Sequence, residues 1–165
     1  YIGSSDAPYT GGLINTFSYK NWELNVNFSL TFGGYVRTQP SYDIINPDYG
    51  KNYNADVLNR WTPENPSEDV FYPRLSYGAN TNNSQNSTWW LRNMSMLRMK
   101  DIEVGYTLPK RWMSRIGLEN IRLYAKGSNL LTFSAFDLWD PELDTQNGAK
   151  YPIMKSVSFG IDVNF

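Results

Sequence analysis

The sequence predicts an all-β fold: antiparallel strands that form part of a large transmembrane β-barrel and carry long loops at one end. Three observations predict it. Apolar and polar residues alternate with a period of two along whole segments. The connections between those segments run short, long, short, long, which on antiparallel strands gathers the long ones at one end. Mean hydropathy is polar, at -0.52, although aromatics make up 16% of the chain. No run approaches the roughly 18 apolar residues of a spanning helix, but alternating barrel strands average out polar and escape such a scan.

Five segments carry the strand pattern. Leu13 to Lys20 places Leu13, Phe17 and Tyr19 on one face and Thr16, Ser18 and Lys20 on the other. From Trp22 to Phe32 the alternation is strict: Trp22, Leu24, Val26, Phe28, Leu30 and Phe32 against Glu23, Asn25, Asn27, Ser29 and Thr31. A helix would put Trp22, Val26 and Ser29 on one face, which makes no apolar stripe. The junction Tyr19-Lys20-Asn21-Trp22 leaves room only for a tight turn, so these two strands form a hairpin. Leu97 to Leu108 changes phase: Leu97 and Met99 share one phase, and Ile102, Val104, Tyr106 and Leu108 the other. A β-bulge at Lys100-Asp101 or a later strand start accounts for the slip. Asn120 to Leu131 sets Ile121, Leu123, Ala125 and Gly127 opposite Arg122, Tyr124, Lys126 and Ser128. The last segment alternates Val157, Phe159, Ile161, Val163 and Phe165 with polar residues, and Phe165 falls in mid-pattern. The start, Tyr1-Ile2-Gly3-Ser4, lacks a charged-then-apolar leader, and no signal peptide is expected.

The long connections are residues 33–94 and 134–151. Between the third and fourth strands, Pro109 to Glu119 is modest, and Lys110 to Ile116 suits one helical turn closed by Gly117. The first long loop holds Pro40, Pro47, Pro63, Pro66 and Pro73, and its stretch Thr81 to Thr88 is low in complexity. Tyr42, Tyr49, Tyr53, Trp61, Phe71, Tyr72, Trp89 and Trp90 punctuate it. They either pack the loop against itself or present binding anchors. Five strands of this kind cannot stand alone, because a lipid-facing sheet must close to satisfy its edges, and known membrane barrels take about eight strands or more.

Composition excludes several functions. The formal net charge is -1, from 15 Lys+Arg and 16 Asp+Glu, so no basic face is available for nucleic acid. Without Cys or His there is no thiolate, no Ser-His-Asp triad and no common metal ligand. No catalytic residue, cofactor or metal is expected, and an enzyme is not. Asp140, Glu142 and Asp144 form an acidic cluster that lacks EF-hand spacing and suits a solvated loop. Lys110, Arg111 and Arg115 make a small basic patch in the short connection.

In their order along the chain, several stretches resemble the C-terminal end of SusC/RagA-type TonB-linked outer-membrane proteins. They are Pro8-Tyr9-Thr10-Gly11-Gly12-Leu13 running into Phe17-Ser18-Tyr19-Lys20-Asn21-Trp22-Glu23-Leu24, and Arg60-Trp61-Thr62-Pro63-Glu64-Asn65-Pro66. Then come Leu97-Arg98-Met99-Lys100-Asp101-Ile102-Glu103-Val104-Gly105-Tyr106-Thr107-Leu108-Pro109, Ile121-Arg122-Leu123-Tyr124 through Asn129-Leu130-Leu131-Thr132, Trp139-Asp140-Pro141-Glu142, and Tyr151-Pro152 leading to Phe165.

The resemblance implies a 22-stranded barrel in the outer membrane of a Gram-negative bacterium. Residues 1–165 would be its C-terminal portion of about five strands, with the plug domain not in this chain. It implies import of oligosaccharides or peptides. The implied partners are the remaining barrel and plug, a SusD-like surface lipoprotein as lid, the TonB complex acting on the plug, and outer-membrane lipid. On that reading Trp61, Tyr72, Trp89, Trp90 and Trp139 are candidates for contact with substrate or lid. Phe159, Ile161, Val163 and Phe165 resemble the terminal signal read by the outer-membrane assembly machinery. The alternative is a soluble β-sandwich carbohydrate-binding module, which accounts for the aromatics but not for the loop asymmetry.

Overall fold

Alternation on both sides of a tight turn dictates the first two strands. In the computed structural model they are β1 (Tyr9–Tyr19) and β2 (Trp22–Phe32), paired antiparallel from Tyr19↔Trp22 to Tyr9↔Phe32. The structure describes residues 4–38, 55–70, 72–75, 82–83, 85–113, 117–143 and 145–165. Two short strands follow, β3 (Tyr35–Arg37) and β4 (Leu91–Asn93), then three long ones, β5 (Met96–Thr107), β6 (Asn120–Ser134) and β7 (Ser156–Asn164). The long strands form one five-stranded sheet in the order β1-β2-β5-β6-β7, a simple meander; β3 and β4 pair separately.

The phase slip in β5 is a bulge. Asn27 pairs with Asp101 and Phe28 with Met99, so Lys100 has no counterpart on β2. On the other side, Met99 pairs with Leu131 and Asp101 with Ser128, so Lys100 faces Asn129 and Leu130. Asn129 takes the left-handed conformation, φ 54°, as Asn tolerates better than most residues. The extra residue returns the apolar positions of β5 to one side.

That side runs unbroken across the sheet. Register puts Phe17, Leu24, Val104, Ala125 and Phe159 in one row, and Tyr19, Trp22, Tyr106, Leu123 and Ile161 in the next. The face holds no Asp, Glu, Lys or Arg, and no second layer of described residues covers it; Phe17, Trp22, Leu123, Phe159 and Ile161 are all exposed. An open apolar face of this extent is far beyond what water-facing surfaces carry. The charges of the five long strands lie on the other face. There Arg122 reaches Glu103 at 2.6 Å, Glu23 at 3.0 Å and Asp162 at 3.5 Å, tying β2, β5, β6 and β7. Glycine makes room for these long side chains: a Cβ at Gly105 would lie 2.7 Å from Arg122 Nη2, and one at Gly160 would lie 2.2 Å from Tyr124 Cζ.

Strand ends depart from the sequence expectation. β1 begins at Tyr9 rather than Leu13, because Thr10, Gly11 and Gly12 continue the ladder without apolar side chains to mark its phase. β6 runs on to Ser134, three residues past Leu131. Phe165 lies just beyond the last strand. The helical turn is short: α1 spans Lys110–Met113, and Leu118 N donates to Met113 O across Gly117, whose φ is 73°. Arg115 and Ile116 lie outside the described residues.

Candidate functional site

The described residues of segment 33–94 form a stalk and a small core of their own. Gly33 and Gly34 turn the chain out of β2 with φ of 83° and 80°. A Cβ on Gly33 would strike Pro8 at 2.6 Å. β3 and β4 then form the stalk, Tyr35↔Asn93 to Arg37↔Leu91. At its tip Thr38 is fully buried and donates both its N–H (2.8 Å) and its hydroxyl (2.9 Å) to Trp90 O.

Trp90 is the centre of this unit. It is 2% exposed, packs with Tyr72 (5%), Val57 and Leu75, and donates its indole N–H to Asn83 O at 3.0 Å. Trp61 N donates to Tyr72 O at 3.0 Å, which brings residues 60–62 alongside. Of the five aromatic candidates, Trp61, Trp89 and Trp90 therefore line one cavity of about 720 Å³, together with Glu68, Arg74 and Asn86. Trp89 is turned outward, 46% exposed. Tyr72 sits behind Trp90 in the core of the unit. Tyr42, Tyr49, Tyr53 and Phe71 lie outside the described residues. Arg92 braces the unit, donating to Trp89 O at 2.8 Å and Leu91 O at 3.1 Å. Burial pushes its guanidinium below the ordinary arginine value, and Asp137 works against that shift. Indole faces combined with amide and charged groups suit a polar, ring-bearing or amide-bearing ligand.

Trp139 stands apart from that cavity. It packs edge-on against buried Phe136, with centroids 5.0 Å apart at 78°. The residues after it fold back onto the polar face of β5. Asp140 accepts from Arg98 Nη2 at 2.5 Å and from the Glu142 backbone N–H at 2.9 Å. Glu142 accepts from Lys100 Nζ at 2.5 and 2.7 Å. Arg98 Nε stands 3.2 Å from Glu142, within ion-pair reach but off hydrogen-bond geometry. The acidic cluster is thus a latch onto the bulge region rather than a solvated loop; Asp144 lies outside the described residues. Sequence reasoning missed Arg98 and Lys100, whose only local signal was the phase slip beside them. Among the described residues no group of three acidic side chains is placed to hold a metal.

An uncharged open face, a polar ladder behind it, and loop structure built at one end define a wall segment of a transmembrane β-barrel. No family model matches the chain. Over 99% of its length it is 31% identical to TonB-dependent receptor P26 and 29% identical to TonB-dependent receptor P3, both of Formosa agariphila. It spans only 18% and 17% of those relatives. Solved structures of the RagAB peptide transporter match 99% of the chain at 29% identity with a TM-score of 0.78. The RagAB peptide importer in its closed-closed state matches with a TM-score of 0.72 at 28% identity. The chain covers 18% of each of those solved chains. It is homologous to part of the TonB-dependent, SusC/RagA-type outer-membrane β-barrel transporters.

Proposed function

We propose that the chain is the C-terminal portion of the barrel wall of a TonB-dependent importer in the outer membrane of a Gram-negative bacterium. The barrel would have 22 strands, of which β1, β2, β5, β6 and β7 are five. The observation that carries this reading is the single uncharged face shared by all five strands, restored across β5 by the Lys100 bulge. Residues 33–94 and 134–151 face outward, where a SusD-like surface lipoprotein lids the barrel and substrate arrives. Oligosaccharide or peptide is the cargo, with Trp61 and Trp89 at the rim of the cavity as first contacts. The plug and its TonB contact lie elsewhere in the whole protein. In that protein the alternating face Phe159, Ile161, Val163 and Phe165 serves outer-membrane assembly.

The test is on the whole protein carrying this segment. It should fractionate with the outer membrane, shift on gels when heated, and co-purify with a surface lipoprotein. Recovery in the soluble fraction as a monomer would favour the β-sandwich binding module instead.

A further inference from the structure

The connection between β6 and β7 holds the chain's only Asn-Gly pair, Asn147-Gly148. The backbone nitrogen after an asparagine can attack that asparagine's own side-chain amide. Glycine leaves the approach open, because it has no Cβ to shield its nitrogen. Whether the attack is helped or blocked depends on what the side chain and the nitrogen are bonded to.

Asn147 is exposed. Its Oδ1 accepts from the Ala149 N–H at 3.0 Å and from the Thr145 hydroxyl at 2.9 Å. The Ala149 bond closes a ring across the Asn147–Gly148 peptide, which curls the side chain back toward the Gly148 nitrogen. Thr145 Oγ1 is itself aimed by the Asn147 N–H, which donates to it at 3.4 Å. Two donors thus sit at the oxygen on which charge develops when the amide carbon is attacked, at the distances of an oxyanion site. Both grip the oxygen that stays. Among the described residues no hydrogen bond engages the Gly148 N–H, which attacks, or Asn147 Nδ2, which leaves. The two Asn-Ser pairs of the chain differ. Asn83, before Ser84, has its Nδ2 tied to Arg74 O at 3.3 Å, and Asn86, before Ser87, lies beyond a bulkier neighbour with its Oδ1 taken by Arg37.

We propose that Asn147-Gly148 is a self-modification site that converts to isoaspartate as the protein ages. Gly148 N attacks Asn147 Cγ and forms the N–Cγ bond. The Cγ–Nδ2 bond breaks, and Nδ2 departs as ammonia with the proton from Gly148 N, leaving a succinimide. Water then opens the ring: at Cγ it gives aspartate, at the main-chain carbonyl it gives isoaspartate. No oxidant or reductant is involved. The isoaspartyl form gains a negative charge and one methylene in the main chain. Gly148 has little room for that shift, since it lies on Trp139, where even a Cβ would come 3.1 Å from Cε3. The segment that latches onto Arg98 through Asp140 therefore has two covalent forms.

The test is incubation of the purified whole protein at mildly alkaline pH, followed by peptide mass spectrometry that separates aspartate from isoaspartate. Hydroxylamine is the probe for the succinimide. Asn147 should convert while Asn83 and Asn86 persist, and hydroxylamine should trap the imide at residue 147. T145V removes one of the two donors in a water-exposed loop and should slow conversion about two- to tenfold, the worth of one such hydrogen bond. T145S keeps the hydroxyl and should keep the wild-type rate, which separates the bond from any change in loop packing. Conversion at Asn147 no faster than at Asn83 or Asn86, or an unchanged rate in T145V, overturns the proposal. Aspartate alone, with neither isoaspartate nor trapped imide, overturns the cyclic route.

Discussion

The substitution Arg98→Met removes the charge of the latch while keeping most of its volume. Arg98 is 1% exposed, and its removal leaves Asp140 without its cation and Glu142 with Lys100 alone. Breaking a fully buried pair costs about 3–5 kcal/mol. The Asp140 and Glu142 side chains keep 18% and 19% exposure, so water can reach the stranded carboxylate, and a cost of about 2–3 kcal/mol follows. That cost falls on docking of the β6–β7 segment, not on the strand ladders. It corresponds to an opening constant about 30–150-fold larger. Hydrogen exchange on the whole protein reads it directly at the Glu142 amide, which donates to Asp140 Oδ1, and at the Leu143 amide, which donates to Asp140 O. Lys100→Met is the control: Lys100 is a third exposed, and loss of such a pair costs under about 1 kcal/mol, a few-fold in exchange. If Arg98→Met exposes these amides no more than Lys100→Met does, the latch is not what holds the segment down.

Three further outcomes follow from the same geometry. Gly160→Ala should lower the thermal stability of the barrel by about 1–3 kcal/mol, because its Cβ meets the Tyr124 ring at 2.2 Å, and the penalty should vanish in a Tyr124→Ala background, as a double-mutant cycle would show. Trp89→Ala should weaken substrate or lid binding without raising amide hydrogen exchange in the loop, whereas Trp90→Ala, emptying the core of that unit at about 3–5 kcal/mol, should do both. Val26→Arg, in the middle of the apolar face of β2, should cost about 2–4 kcal/mol and reduce the heat-modifiable fraction, while Asn25→Arg on the polar face should leave it unchanged.

The strands were legible where each side chain reports its face. β2 and β7 show this, since every second residue must be apolar for one side of the sheet to meet lipid. Lys100 shows the limit. Its phase slip was visible, but only the strand register, with no counterpart for Lys100 on β2 and two residues facing it on β6, separates a bulge from a late strand start. Gly11 and Gly12 hid the start of β1, for a residue without a side chain has no phase. β3 and β4 left no local signal at all, because two strands so short pair only through contacts between residues 35–37 and 91–93. In the site, sequence singled out Trp89 and Trp90 together, but adjacent indoles have opposite fates, and it is the Thr38 and Asn83 bonds that turn Trp90 inward. Arg98 and Asp140 are far apart along the chain, and their meeting depends on how the β6–β7 segment folds back.

On the proposed function, the apolar face of the sheet meets lipid and the charged face meets water. The segment contains no Cys, so single cysteines along residues 22–32 of the whole protein can each carry a nitroxide. In outer membranes, labels at Leu24, Val26, Phe28 and Leu30 should collide more with oxygen, and labels at Asn25, Asn27 and Ser29 more with a water-soluble nickel complex, with a period of two. Uniform access of the nickel complex along the strand would contradict the account.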